Sequence, residues 1–322
     1  MKRLVVLISI IIMVVAGWIV AWFAVAIAIK TRADQFMQAS LNAAPQIECK
    51  KFIVSGFPFD LVLTCSNLVV RDGDISFSLP RIKAAMQVFS PTSMEISASG
   101  PAAIKDDFSG SRRQIGWDYL NVFVRTNGWA LDRVSIAAGN LEFIDNLAGE
   151  KLLMRIERFK AELADNPDKY NKNAALVQLS ALVGANKVTL AEFDLTDASL
   201  RLEATIGAIP DDIRQWSLSR LASNWFREKT GIELVAFTGA DARSEFKLVG
   251  SLSANGQARL SGDFALHTKN IMDRLQRFID PTTLQILFGF PNKDNSRDQS
   301  YSLRHGVLLA GNLPVLTFNA LN

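Results

Sequence analysis

From Leu4 to Ile29 the chain carries no charged side chain, and this run limits what the whole molecule can be. Its 26 residues are Val, Ile, Leu, Ala, Trp, Phe and Met, with one Ser and one Gly. As a helix it would extend roughly 39 Å, more than the ~30 Å hydrocarbon core of a bilayer. An isolated segment in lipid must satisfy its own backbone hydrogen bonds, which makes it helical. Trp18 and Trp22 fall in the second half, where indole rings can reach the far interface. A cleaved signal has a shorter apolar region, roughly 7–15 residues, before a small-residue cleavage site. Here bulky residues continue to Ile29, so residues 1–29 read as an uncleaved anchor. A cleaved signal and a buried soluble helix are the alternatives.

Lys2 and Arg3 precede the run and Lys30 and Arg32 follow it, so basic side chains alone give no orientation. The charged amino terminus and its two-residue tail favour the N-terminus inside. The expected placement is a single-pass protein of a bacterial inner membrane, with its C-terminal domain in the periplasm. Residues beyond Ile29 hold 33 basic and 32 acidic side chains, a net charge of about +1. They contain no block of five or six like charges, and a nucleic-acid footprint needs a basic face with stacking aromatics. Nucleic acid is not an expected partner; inner-membrane lipid is, and other envelope proteins are candidates.

Cys49 and Cys65 are the two cysteines, and they flank the turn-like segment Ser55-Gly56-Phe57-Pro58-Phe59. If the flanks pair antiparallel about Phe57, Cys49 lies opposite Cys65. Both then face the side of Ile47, Ile53, Leu61 and Leu63. Directly opposed residues have Cα atoms about 4.5–5.5 Å apart, within reach of a disulfide. An oxidising compartment favours the bond, and two buried thiols are the alternative in a reducing one. The spacing suits neither a CxxC redox site nor zinc. Phe57, Pro58 and Phe59 would form an exposed hairpin tip that can touch membrane, cap a ligand groove or pack back onto the domain.

Residues 30–44 have helical composition and read as a stalk, with Pro45 ending it. Residues 45–322 then follow a period of two, the mark of half-buried strands. Phe246, Leu248 and Leu252 alternate with polar residues, as do Leu260, Phe264 and Leu266. A three-residue loop, Ala254-Asn255-Gly256, places Leu252 opposite Ala258 and Phe246 opposite Phe264 with one continuous apolar face. At the C-terminus, Arg304-His305-Gly306 can serve as a loop pairing Leu303 with Val307. Further strands are expected at Ile75–Leu79, Met94–Ser99, Val122–Val124, Val134–Ile136, Val188–Leu190 and Leu200–Ile206. Lys151–Leu163 is open between strand and helix. Pro210-Asp211-Asp212 predicts a helix start leading into Ile213, Trp216, Leu221 and Trp225. A second helix is expected over Asn270–Ile279, resuming at Thr282–Phe288. The fold class is therefore mainly β: a transmembrane helix, then a curved antiparallel sheet assembly with a few interrupting helices. Its apolar face must be buried by helices, a second sheet or an apolar ligand, so an apolar groove is one outcome.

No catalytic, cofactor or metal residue is singled out. His267 and His305 lie in no His/Asp or HExxH pattern, and GxSxG, GxGxxG and Gly-Lys-Ser/Thr loops are missing. Asp72 and Asp74 fit a turn, and Asp106-Asp107 and Asp211-Asp212 fit loop and helix-start acids. Trp117, Trp129, Trp216 and Trp225 are expected to fill core gaps.

The anchor, Cys49, Ser55-Gly56-Phe57-Pro58-Phe59, Leu63-Thr64-Cys65 and the late glycine-punctuated strands together resemble the DUF2125 family of alphaproteobacterial envelope proteins. That family pattern has a basic residue after the GFPF segment, where this chain has Asp60. The departure weakens any headgroup-binding role for the position. The overall pattern is more loosely similar to the AsmA-like proteins, which implies a periplasmic β-rich groove associated with lipid. Three functions stay open: binding or conveying lipid in envelope maintenance, a non-catalytic scaffold or interaction module, and an enzyme with a spatially assembled site.

Overall fold

The computed structural model describes residues 2–40, 45–254 and 259–318. One continuous helix, α1, covers Lys2–Ser40. The first strands are β1 (Gln46–Ser55), β2 (Asp60–Asp72), β3 (Ile75–Gln87), β4 (Ser90–Ser99), β5 (Ala102–Asp106) and β6 (Arg112–Gly116). Next come β7 (Tyr119–Asn127), β8 (Ala130–Asp145), β9 (Lys151–Asp165), β10 (Leu176–Leu190) and β11 (Leu195–Pro210). After α2 (Leu218–Glu228) run β12 (Gly231–Ala240), β13 (Glu245–Ala254) and β14 (Leu260–Lys269). The short helices α3 (Met272–Leu275) and α4 (Pro281–Phe288) precede β15 (Ser296–Arg304), β16 (Val307–Ala310) and β17 (Leu313–Thr317). The chain is thus mostly β, with its strands in one antiparallel sheet. Two compact units divide it: Met1–Asn121 with Ile144–Lys151, and Val122–Phe143 with Leu152–Asn322.

In the first unit, β1 and β2 form the expected hairpin, and Cys49 and Cys65 are joined with Cα atoms 5.9 Å apart. The register differs from the symmetric one. Cys49 pairs with Leu68 and Phe52 with Cys65, so the cysteines lie diagonally. Lys50 and Asn67 drop out of the pairing, and Asn67 has a left-handed φ of 54°. Each strand flips its faces once at that point. Cys49 and Phe52 are therefore both inward, as are Cys65 and Leu68, while Ile53 turns outward at 39% exposure. The pairing resumes in the same register beyond that point, so the kink re-aims side chains without adding a residue to either strand. It brings the two sulfurs onto one face.

The second unit departs from the sequence reading mainly at its turns. Leu252 pairs with Gly262 and Phe246 with Thr268, a longer connection than the three-residue loop expected. Asn255, Gly256, Gln257 and Ala258 lie outside the described residues. The apolar face survives, because the shift moves each partner by an even number of positions. At the C-terminus Arg304 pairs with Val307, leaving the two-residue turn His305-Gly306. Both turn residues have positive φ, 52° and 85°, as the tightest hairpins require. Lys151–Asp165 is a strand, not a helix.

Pro210 ends β11 instead of opening the helix. The Asp212 carboxylate accepts from the Arg214 amide at 2.9 Å and from its guanidinium, which closes a single 3-10 turn at Ile213–Gln215. The Asp212 carboxyl is held down at about 2 by that Arg214 hydrogen bonding. Ser217 then caps α2 by accepting from the Arg220 amide. The second expected helix is split into α3 and α4, the latter capped by Asp280 ahead of Pro281.

Candidate functional site

Pairing in the second unit aligns side chains into rows across consecutive strands. One row runs Ala161, Val183, Leu202, Phe237, Leu248 and Leu266, from β9 to β14. Its neighbours hold Phe159, Ala185, Leu200 and Phe246 on one side and Leu163, Ala204, Leu234 and Phe264 on the other. At about 4.8 Å between strands, the row is roughly 24 Å long. No charged side chain interrupts it. The next residue along each strand gives an outer row of Lys160, Gly184, Arg201, Thr238, Lys247 and His267. The two faces are separated one residue at a time, as the β pleat demands.

The central row of the inner face is half-buried. Ala161, Val183, Leu202, Phe237, Leu248 and Leu266 are all half-buried. Among the described residues, Leu179 is the one large side chain below 2% exposure. Coverage comes from the margins. Helix α2 closes one end, where Trp225 and Ala222 pack with Leu176, Ala208 and Ala254. The Trp225 indole donates to the Gly207 carbonyl at 2.8 Å, and Asn224 donates to Ala208 at 3.2 Å. Helix α4 covers β15, where Tyr301 donates to the Leu287 carbonyl and Gln299 to Ile286 at 3.3 Å. Asp165 stands where the apolar rows end, and burial raises its carboxyl above the usual range.

A buried ion pair fastens α3. Arg274 meets Asp241, whose side chain is 3% exposed. Burial pushes the Asp241 carboxyl up. The Ser244 hydroxyl, the Arg243 and Ser244 amides and Arg274 outweigh it and hold the group at about 2.

The outer face carries the polar groups. A shallow concavity of about 710 Å³ lies around Gly184, with Arg158, Lys160 and Arg201 at its rim. His267 faces Asp298 across the β14–β15 pair at 2.7 Å. Their side chains are 45% and 67% exposed, so no buried carboxylate in a cleft converges on this histidine. His305 sits in its tight turn. Among the described residues no group of three His, Cys, Asp or Glu is arranged to hold a metal ion.

In the first unit the GFPF segment sits against α1. The Trp18 indole donates to the Pro58 carbonyl at 3.0 Å and Trp22 to that of Asp60 at 3.2 Å. The Phe57 ring meets Trp22 edge-on at 5.5 Å and stacks on Phe23 at 5.8 Å. Phe57 and Phe59 still expose 44% and 58% of their surface. Sequence reading missed Phe89, which joins them from the β3–β4 turn and stacks on Trp18 at 5.4 Å. The lone exposed aromatic between Val88 and Ser90 gave no periodic signal. Among the tryptophans, Trp225 is buried and Trp117 bonds the Ala98 carbonyl at 2.8 Å. Trp129 and Trp216 do not fill core gaps, being 57% and 37% exposed; Trp129 lies beneath the Arg214 guanidinium at 4.4 Å.

These features define a β-rich chain with one helix long and apolar enough to cross a membrane, a structural disulfide and an apolar inner sheet face. The chain belongs to the DUF2125 family, described as uncharacterised proteins conserved in bacteria, which it matches over residues 22–319. No curated protein and no solved structure matches it.

Proposed function

We propose that this is an inner-membrane protein with its β-rich part in the periplasm, which binds lipid acyl chains on the inner face of β9–β14 and serves their handling in the envelope. The Cys49–Cys65 bond, which an oxidising compartment maintains, supports this orientation. The observation that carries the ligand is the uncharged row from Ala161 to Leu266, whose side chains are apolar and only half-buried. A face of about 24 Å accepts a long alkyl chain, and each CH₂ it covers contributes about 0.8 kcal/mol. Hydrocarbon offers no hydrogen bonds, and the row asks for none.

A photoreactive phenylalanine analogue at Phe237, in full-length protein within membranes, tests the reading against the same group at Thr238 on the outer face. Crosslinking to lipid from position 237 alone is expected. Crosslinks between two copies of the chain from position 237 would assign the face to self-association. Equal lipid capture at both positions, or none at 237, would overturn the proposal.

A further inference from the structure

The apolar run is longer than a bilayer needs, and the packing of α1 accounts for the excess. The large aliphatic side chains described between Leu4 and Val20 are exposed around the helix; on the turns that follow, the stripe of Trp22 and Ala26 is 7% and 8% exposed and packs with Leu61, while Phe23, Val25 and Ile27 stay exposed. Ile29 joins the same cluster with Val54 and Leu63. From Leu4 to Trp22 the helix rises roughly 27 Å, close to the ~30 Å of the hydrocarbon core. With Trp22 at the far interface, Trp18, four residues earlier, lies roughly 6 Å deeper.

Two loops are bound to the helix at that depth. Pro58 accepts from Trp18, and Phe89 stacks on the same indole. Phe59 lies 6.0 Å from Phe89. The three rings of Phe57, Phe59 and Phe89 are 44%, 58% and 73% exposed. Backbone groups beside them are already paired: Asp60 N–H to Gly56 and Val88 N–H to Phe59, both at 2.9 Å. Pro58 has no N–H to satisfy, and its carbonyl accepts the hydrogen bond from the Trp18 indole N–H. A loop in lipid must have its polar backbone groups paired within the protein. Asp60 is exposed at the base of the tip and sets the limit of insertion.

We infer that Phe57, Phe59 and Phe89 form an aromatic wedge seated among the acyl chains of the leaflet where α1 emerges, giving the first unit a second hold on the bilayer at fixed depth. The inference rests on α1 spanning the membrane. It does not depend on the ligand proposed for the inner sheet face.

Because both native cysteines are bonded to each other, Phe59→Cys and Phe89→Cys each supply a single free thiol for a nitroxide. Full-length protein would be placed in vesicles of phosphatidylethanolamine and phosphatidylglycerol. Collisions with oxygen, which concentrates in lipid, are compared with those of a water-soluble nickel chelate. Labels at 59 and 89 should favour oxygen several-fold, as should one at Ile12 within α1, while one at Ile75 at the far end of β3 favours nickel. The two wedge positions report independently, so one variant that fails to fold leaves the other decisive. If 59 and 89 behave like 75 while 12 remains in lipid, the wedge is overturned and the anchor stands. If 12 also favours nickel, the membrane span itself fails, and the wedge with it.

Discussion

The β1–β2 hairpin and the β9–β14 sheet solve the same problem, an apolar face that must leave water, by different means. In the hairpin the face is met by a helix, by four aromatic ring contacts involving Phe57 or Phe89 and by a covalent bond. In the sheet the described cover lies at the margins, with α2 at one end and α4 over β15. The difference teaches where each region keeps its stability. The hairpin spreads it over many modest contacts, while the sheet concentrates it in a few buried anchors and leaves the middle of its face half-covered.

The sharpest way to break that contrast is to remove an anchor. Trp225→Ala deletes the largest side chain of the α2 seal and its bond to Gly207, and should cost about 3–5 kcal/mol in denaturant unfolding. A cost below about 1 kcal/mol would mean the seal is not where the sheet is held. Asp241→Asn leaves Arg274 buried without its counter-charge and should cost about 3 kcal/mol. The wild-type pair also carries a pH signature. Its carboxyl is lowered from 3.8 to about 2, so its contribution is complete above the higher value and fades as pH falls toward the lower. Acid unfolding of the Asn variant should lack that component.

In the hairpin, replacing both Cys49 and Cys65 by Ser should cost about 3 kcal/mol, read as the difference between oxidised wild type and the variant. Phe57→Ala, which removes two ring contacts, should cost only about 1 kcal/mol by the same measurement. The smallest effect belongs to the outer face. Breaking Arg201–Glu203 with Glu203→Gln should change stability by less than about 1 kcal/mol, since the Arg201 side chain is 66% exposed. A larger loss there would show the outer row to be as structural as the inner one.

Much of the sheet was legible in the sequence, because alternation survives any register. Phe246, Leu248, Phe264 and Leu266 fall on one face whether the connection is three residues or longer. The pairing itself was not legible, since face parity is blind to an even shift. Cys49 and Cys65 illustrate the same limit. Their bond was expected from a symmetric hairpin, yet it forms across a diagonal that only the kink at Lys50 and Asn67 permits. The start of α2 was misplaced because Asp211 and Asp212 imitate a helix cap, while Asp212 is occupied by Arg214 and the cap is Ser217. Lys151–Leu163, now within the strand Lys151–Asp165, reads ambiguously because its apolar positions can satisfy either period. Of the inner face, the residues could be named and their coverage could not, because alternation along a strand does not say onto which part of the face the connecting helices α2 and α4 fold.

Lys50, Asn67 and Pro80 act as matched half-twists in three neighbouring ribbons, each undoing what the others alone would impose. A one-residue insertion beside any of them would turn the remainder of that ribbon inside out, whereas compensating changes in all three would be absorbed. This stretch can therefore lengthen or shorten only in concert, and its two sulfurs are the sensor of whether the partners have kept step.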